Sequence, residues 1–326
     1  MSGIWQRTRI APAPGGPSTE RVAHANGIEV AYDTFGDRSD PVMLLVMGLG
    51  MQLIHWDPEL CRLLAGRGFH VVRFDNRDVG HSTKIESGPP PRPMHAMLGL
   101  GGSASYTLED MAADTAGLLD ELGAGAAHVV GASLGGMIAQ TLAIARPDRV
   151  LSLASVMSTT GRRRVAMPKP RAMRALLAPP PRDRERYTEH FVRVFRAIGS
   201  PAFPRDEHQV REVAAAGYER CFYPIGTARQ LVAVTASGDR TQALRGVSAP
   251  TVVIHGREDP LIPVGAGRAT ARAAPGAELV EIPGMGHDLP RQVWPTVVDA
   301  VVRNARRSSV PPASGEPATY RFADSA

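Results

Sequence analysis

His128-Val129-Val130-Gly131-Ala132-Ser133-Leu134-Gly135-Gly136 decides how the chain is read. An apolar run of strand length, His128 to Gly131, leads into a serine among small residues. A helical pattern, Leu134 to Arg146, follows until Pro147 ends it. A strand that turns straight into a helix crowds its own backbone, so small neighbours are needed. The side chain of Ser133 is then thrust outward beside the amides that open the helix. Gly131, Gly135 and Gly136 meet the steric demand. In a chain with 33 glycines the Gly-x-Ser-x-Gly spacing alone carries little weight, its alternative being a glycine-rich turn with a capping serine. Its place between strand and helix is what makes it informative.

Outward from this point the alternation repeats. Val42 to Met47, Phe69 to Phe74, Val150 to Val156, Thr251 to His255 and Glu278 to Ile282 have strand length, and the more uniformly apolar among them suit strands covered on both faces. Between them lie helical patterns. One is capped by Thr107, repeats Leu108, Met111, Thr115, Leu118, Leu119 and Leu122 at three- and four-residue steps, and meets Gly123 at its end. Arg21 to Ala25 and Ile28 to Phe35 flank Asn26-Gly27, a pair suited to the positive φ angles of a hairpin turn. The pattern predicts an α/β fold: a mostly parallel central sheet with helices on both faces and ligands at the carboxyl ends of its strands. Residues 159–244 interrupt it with Pro-punctuated helical segments, among them Arg184 to Ile198 and Glu207 to Tyr218, and no strand. We read them as a helical cap inserted into a core of residues 21–158 and 245–307, with 1–20 and 308–326 as flexible tails.

Composition narrows the function. The 326 residues, 43% hydrophobic, suffice for a large core, and no apolar run approaches the length of a membrane span. The first twenty residues lack a signal-peptide apolar region, so a cytoplasmic location is expected. Cys61 and Cys221 have neither disulfide-framework nor zinc spacing and read as two buried thiols. Residues 161–196 concentrate ten arginines and Lys169 against Asp183, Glu185 and Glu189. Without interleaved aromatics or a nucleic-acid-binding motif, this stretch reads as a solvated helical face, and no nucleic-acid partner is expected.

A serine hydroxyl attacks at neutral pH only with a histidine base, itself oriented by a carboxylate. Here the sequence resembles the α/β-hydrolase superfamily over roughly residues 21 to 307, and Ser, Asp and His follow one another in that fold's order. In His255-Gly256-Arg257-Glu258-Asp259-Pro260, Asp259 falls where such enzymes place the acid. Glu258 is its rival, disfavoured because Pro260 and Ile262-Pro263 complete the family-like turn after Asp259. His287, in Pro283-Gly284-Met285-Gly286-His287, sits on a glycine-rich loop after a strand, as the base should. Candidate amide donors for the oxyanion are Leu134, directly after the serine, and Leu49 in Met47-Gly48-Leu49-Gly50, where many relatives have His-Gly in place of Met47-Gly48. The loop Asp75 to Ser82 is given a structural role through Arg77 and Asp78. Met94, Met97, Leu98 and Leu100 either line the entrance or cover the core.

Three stretches give a narrower resemblance to cap-bearing bacterial esterases of the aclacinomycin methylesterase type. They are Met47-Gly48, the spacing of Arg73, Asp75, Arg77, Asp78, Gly80 and Ser82, and Glu281 to Pro290. The resemblance implies hydrolysis of a small-molecule carboxylic ester through an acyl-enzyme, without metal or organic cofactor. A carbon–carbon bond hydrolase or thioesterase on the same fold is the alternative, and a ligand receptor with vestigial hydrolysis a more distant one. Oligomeric state is left open.

Overall fold

The computed structural model describes residues 18–98 and 104–308. Eight strands, β1 (Arg21–Ala25), β2 (Ile28–Phe35), β3 (Val42–Val46), β4 (His70–Phe74), β5 (Ala127–Ala132), β6 (Val150–Val156), β7 (Thr251–Gly256) and β8 (Glu278–Ile282), form one sheet in the order β1-β2-β4-β3-β5-β6-β7-β8. β2 pairs antiparallel with β1 and β4, and every other pairing is parallel. The Asn26-Gly27 turn joins β1 to β2 with φ of 50° and 76°, the left-handed region that this pair tolerates best. The described residues also form ten α-helices: α1 (Pro58–Ala65), α2 (Pro93–Leu98), α3 (Leu108–Glu121), α4 (Leu134–Ala145), α5 (Pro170–Leu177), α6 (Arg184–Ile198), α7 (Glu207–Arg220), α8 (Pro224–Ala236), α9 (Val264–Ala273) and α10 (Trp294–Ala305).

Because successive strand residues face opposite ways, the sheet divides the core in two. Leu44 and Val46 join α3, α4 and α9 on one face, while Met43 and Leu45 join α1 and α10 on the other. Thr107 caps α3 through a reciprocal box with Asp110, as the spacing predicts, and Gly123 follows its end at φ 67°. A charged pair is also buried within the sheet. Arg73 of β4 lies opposite Asp33 of β2 and forks onto its two carboxylate oxygens at 2.7 and 2.8 Å.

Strand order runs one way from β3 through β4 and the other way through β5, so the chain reverses direction across the sheet between β3 and β5. A crevice at such a reversal, beyond the carboxyl ends, is where an open parallel sheet binds ligands. Residues 159–244 enter between β6 and β7 and contain α5 to α8 without a strand. All ten arginines of the basic stretch, and Lys169, are solvent-exposed.

Some expectations need correction or fall outside the described residues. Cys61 is buried but Cys221, directly after α7, is only half-buried. The Met94 side chain is exposed; those of Met97, Leu98 and Leu100, and the tail residues 1–17 and 309–326, lie outside the described residues.

Buried histidines give the fold a definite pH response. His128, at the start of β5, packs edge-on against Phe69 and hydrogen-bonds Ser152 Oγ at 2.9 Å. Burial lowers its pKa from 6.5 to about 4. The unfolded chain therefore binds the proton first as pH falls, so this contribution is fully present above pH 6.5 and disappears between 6.5 and 4. We expect His128→Gln to reduce the rise in stability across that window by about 3 kcal/mol, read from denaturant titrations at successive pH values.

Candidate active site

β5 ends at Ala132 and α4 begins at Leu134, which leaves Ser133 alone in the turn at φ 54° and ψ −116°. A non-glycine residue at positive φ is strained by about 1–3 kcal/mol, and surrounding structure must hold it there. The Ser133 amide donates to the Val156 carbonyl at 2.9 Å, and its carbonyl accepts from Ser158 Oγ at 2.7 Å. Gly131 and Gly135 supply the space. A Cβ on Gly131 would stand 2.2 Å from the Gly135 carbonyl oxygen, and one on Gly135 would stand 2.0 Å from that of Val46. Ser133 Oγ makes no capping bond to α4.

That hydroxyl faces His287. Nε2 of His287 lies 3.0 Å from Ser133 Oγ, and Nδ1 lies 2.7 Å from Asp259 Oδ2. The other Asp259 oxygen accepts the Leu261 and Ile262 amides at 2.8 Å each, which fixes the carboxylate plane. Both side chains are buried. With Nδ1–H donated to a carboxylate, the imidazole presents a lone pair at Nε2, the form that can take a hydroxyl proton. Glu258, the rival acid, is exposed.

A second imidazole approaches the same carboxylate: His255 Nε2 is 3.6 Å from Asp259 Oδ2. It bonds instead to the Ile262 carbonyl at 2.7 Å, and burial lowers its pKa, which disfavours a second charge beside Asp259.

The turn after β3 reaches the serine from the other side. A Cβ placed on Gly48 would stand 3.4 Å from Ser133 Cβ and 3.9 Å from its Oγ. Leu49 follows in that turn, and Leu134 is the first residue of α4. Among the described residues neither amide donates to a protein acceptor. Ser133, Asp259, His287, Leu49 and Leu134 therefore lie at one end of the sheet, on the turns that follow β3, β5, β7 and β8 and at the first residue of α4.

The loops are held by Asp75 and Arg77, which the sequence marks, and by Gln230, Arg220 and Asp114, which it does not. Gln230 of α8 accepts the Gly50 amide at 2.9 Å and donates to the Arg77 carbonyl at 2.9 Å, joining the turn after β3 to the loop after β4. Asp75 is fully buried and accepts from the Leu53 and His81 amides at 2.7 and 2.9 Å, with Arg220 of α7 at 2.6 Å. Arg77 acts beyond its own loop, forking onto Asp114 of α3 at 2.6 Å. The spacing around Asp75 is a signal for the loop after β4; nothing in the spacing marks Gln230. No group of three or more His, Cys, Asp or Glu side chains among the described residues is placed to hold a metal ion.

Comparison with known proteins agrees with this fold. Residues 41–290 match the family described as the alpha/beta hydrolase fold. The rhodomycin D methylesterase DnrP of Streptomyces peucetius is 29% identical over 84% of this chain and 94% of its own length, and DauP of Streptomyces sp. (strain C5), of the same name, matches equally. Among solved structures, the enol-lactonase from Burkholderia xenovorans LB400 superimposes with a TM-score of 0.67 at 25% identity, over 88% of this chain and all of the other.

Proposed function

The chain belongs to the α/β-hydrolase fold family, and from that premise we propose that it hydrolyses a carboxylic ester of a small molecule through an acyl-enzyme on Ser133. The supporting observation is the hydrogen-bonded line from Asp259 through His287 to Ser133 Oγ, with Gly48 of the turn after β3 against that serine and the Leu49 and Leu134 amides without a protein acceptor among the described residues.

In this reading His287 Nε2 takes the hydroxyl proton as Ser133 Oγ bonds to the ester carbonyl carbon. The carbonyl oxygen becomes an anion facing the Leu49 and Leu134 amides. Such donors strengthen as charge develops, each contributing about 3–4 kcal/mol to the transition state. Collapse expels the alcohol, which takes the proton from His287. Water then attacks the acyl-enzyme, with His287 again as base, and the acid leaves. Asp259 keeps the proton on Nδ1 and steadies the imidazolium.

Residues 159–244 serve as the cap over a core of 21–158 and 245–307. Two contacts support this role: α8 reaches the turn after β3 through Gln230, and the Lys169 amide bonds to the Pro260 carbonyl beside Asp259 at 2.8 Å. The relatives named as methylesterases support an ester as the cleaved group.

A substrate panel tests the reading. Methyl and p-nitrophenyl esters should turn over repeatedly, with an acyl adduct on Ser133 detected by mass spectrometry of the quenched reaction. Turnover confined to thioesters or vinylogous diketones would replace ester hydrolysis with the corresponding chemistry on the same triad. Single-turnover trapping without product release would point to a receptor.

A further inference from the structure

We propose that the turn ending α6 clamps the catalytic base in place, with Ser200 and Asp288 as positioning residues; this rests on reading His287 as that base. The segment 198–202 and the loop 284–288 lie side by side. The Ala202 amide donates to the Gly284 carbonyl at 3.3 Å, the Gly286 amide to Ser200 Oγ at 2.9 Å, and the His287 amide to the Ile198 carbonyl at 2.8 Å. Asp288 Oδ1 accepts the Ser200 amide at 2.8 Å and also the Ser200 hydroxyl. Ser200 Oγ thus donates to one residue beside His287 and accepts from the other.

Two observations show that this is a close-fitted joint. A Cβ on Gly286 would stand 2.4 Å from the carbonyl carbon and oxygen of Gly199, so the two backbones touch. The core holds this loop through Met285, whose carbonyl accepts the Glu258 amide at 3.0 Å. The next two amides, of Gly286 and His287, both donate to the insertion. His287 is therefore fixed at its side chain by Asp259 and at its backbone by α6. A base displaced by about 1 Å from its nucleophile can lose on the order of 100-fold in rate. The insertion that covers the site thereby also sets the proton-transfer geometry beneath it.

The test uses the full chain, a short p-nitrophenyl ester and the rate of fluorophosphonate labelling at Ser133, which needs the base but not the substrate pocket. Ser200→Ala should lower kcat and the labelling rate together by about 10- to 100-fold, with KM changed by less than about threefold. Asp288→Ala should act in the same direction, while Asp288→Asn, which keeps an oxygen to accept from Ser200, should recover most of the loss. The clamp is refuted by wild-type kcat and labelling in either alanine variant, by a loss confined to KM, or by Asp288→Asn doing no better than Asp288→Ala. Should Ser200→Ala fail to fold, the Asp288 pair decides. Failure of the hydrolase reading looks different: Ser133→Ala would keep full activity. Loss of activity in Ser133→Ala beside wild-type rates in Ser200→Ala would remove the clamp alone.

Discussion

Ser133→Ala will lower kcat for a short ester by about a million-fold and leave the chain folded. The size follows from the geometry. Ser133 Oγ is the atom 3.0 Å from His287 Nε2, and without it the imidazole has no hydroxyl to deprotonate. Any remaining rate comes from binding and the oxyanion donors, which act as part of the same unit as the triad and are therefore not additive with it. Stability should be nearly unchanged. The lost hydroxyl makes no capping bond to α4, and alanine keeps the Cβ that already occupies the turn at φ 54°. Circular dichroism and thermal melting beside steady-state kinetics separate the two effects. A variant that is folded and as active as the wild type contradicts the assignment.

Asp259→Asn will lower kcat by about 10,000-fold, the scale on which a wrong imidazole tautomer acts. Asparagine can keep its oxygen toward the Leu261 and Ile262 amides, which Asp259 Oδ1 now accepts at 2.8 Å. Its NH2 then faces His287 Nδ1, where Asp259 Oδ2 stands at 2.7 Å. A donor there forces Nδ1 to accept, so the ring proton moves to Nε2 and Ser133 meets N–H instead of a lone pair. The loss should fall on kcat, because Asp259 is buried behind His287. Glu258→Gln, at an exposed position, should leave kcat within about twofold of the wild type, as surface substitutions usually do. If Glu258→Gln carried the large loss and Asp259→Asn did not, the acid would be reassigned.

The fold was legible where local chemistry and burial agree. Asn26-Gly27 predicts its own turn, and the apolar runs become strands because parallel strands with both faces covered need little else. Strand edges were less legible. Phe69 and Met47 are buried apolar residues like those in β4 and β3 but lie just outside the ladders. Hydrophobicity reports burial and does not say where pairing stops.

The candidate site was legible because its chemistry demands unusual local sequence: a serine among glycines, an acid and a histidine each after a strand. Its supports were not. Ser200 and Asp288, or Gln230 and Gly50, meet only because residues 159–244 return to the loops after β8 and β3, and a lone polar residue on a helix or its end carries no mark of so distant a partner. The tether becomes visible only when α6 is seen beside the histidine loop.

The most direct measurement is stoichiometric labelling with a fluorophosphonate, followed by peptide mapping and assay of the remaining esterase activity. The account predicts one adduct per chain, on Ser133, with activity lost in proportion to labelling and labelling strongly suppressed in His287→Ala. Activity that survives complete modification of Ser133, or is lost through an adduct elsewhere while Ser133 stays free, contradicts it.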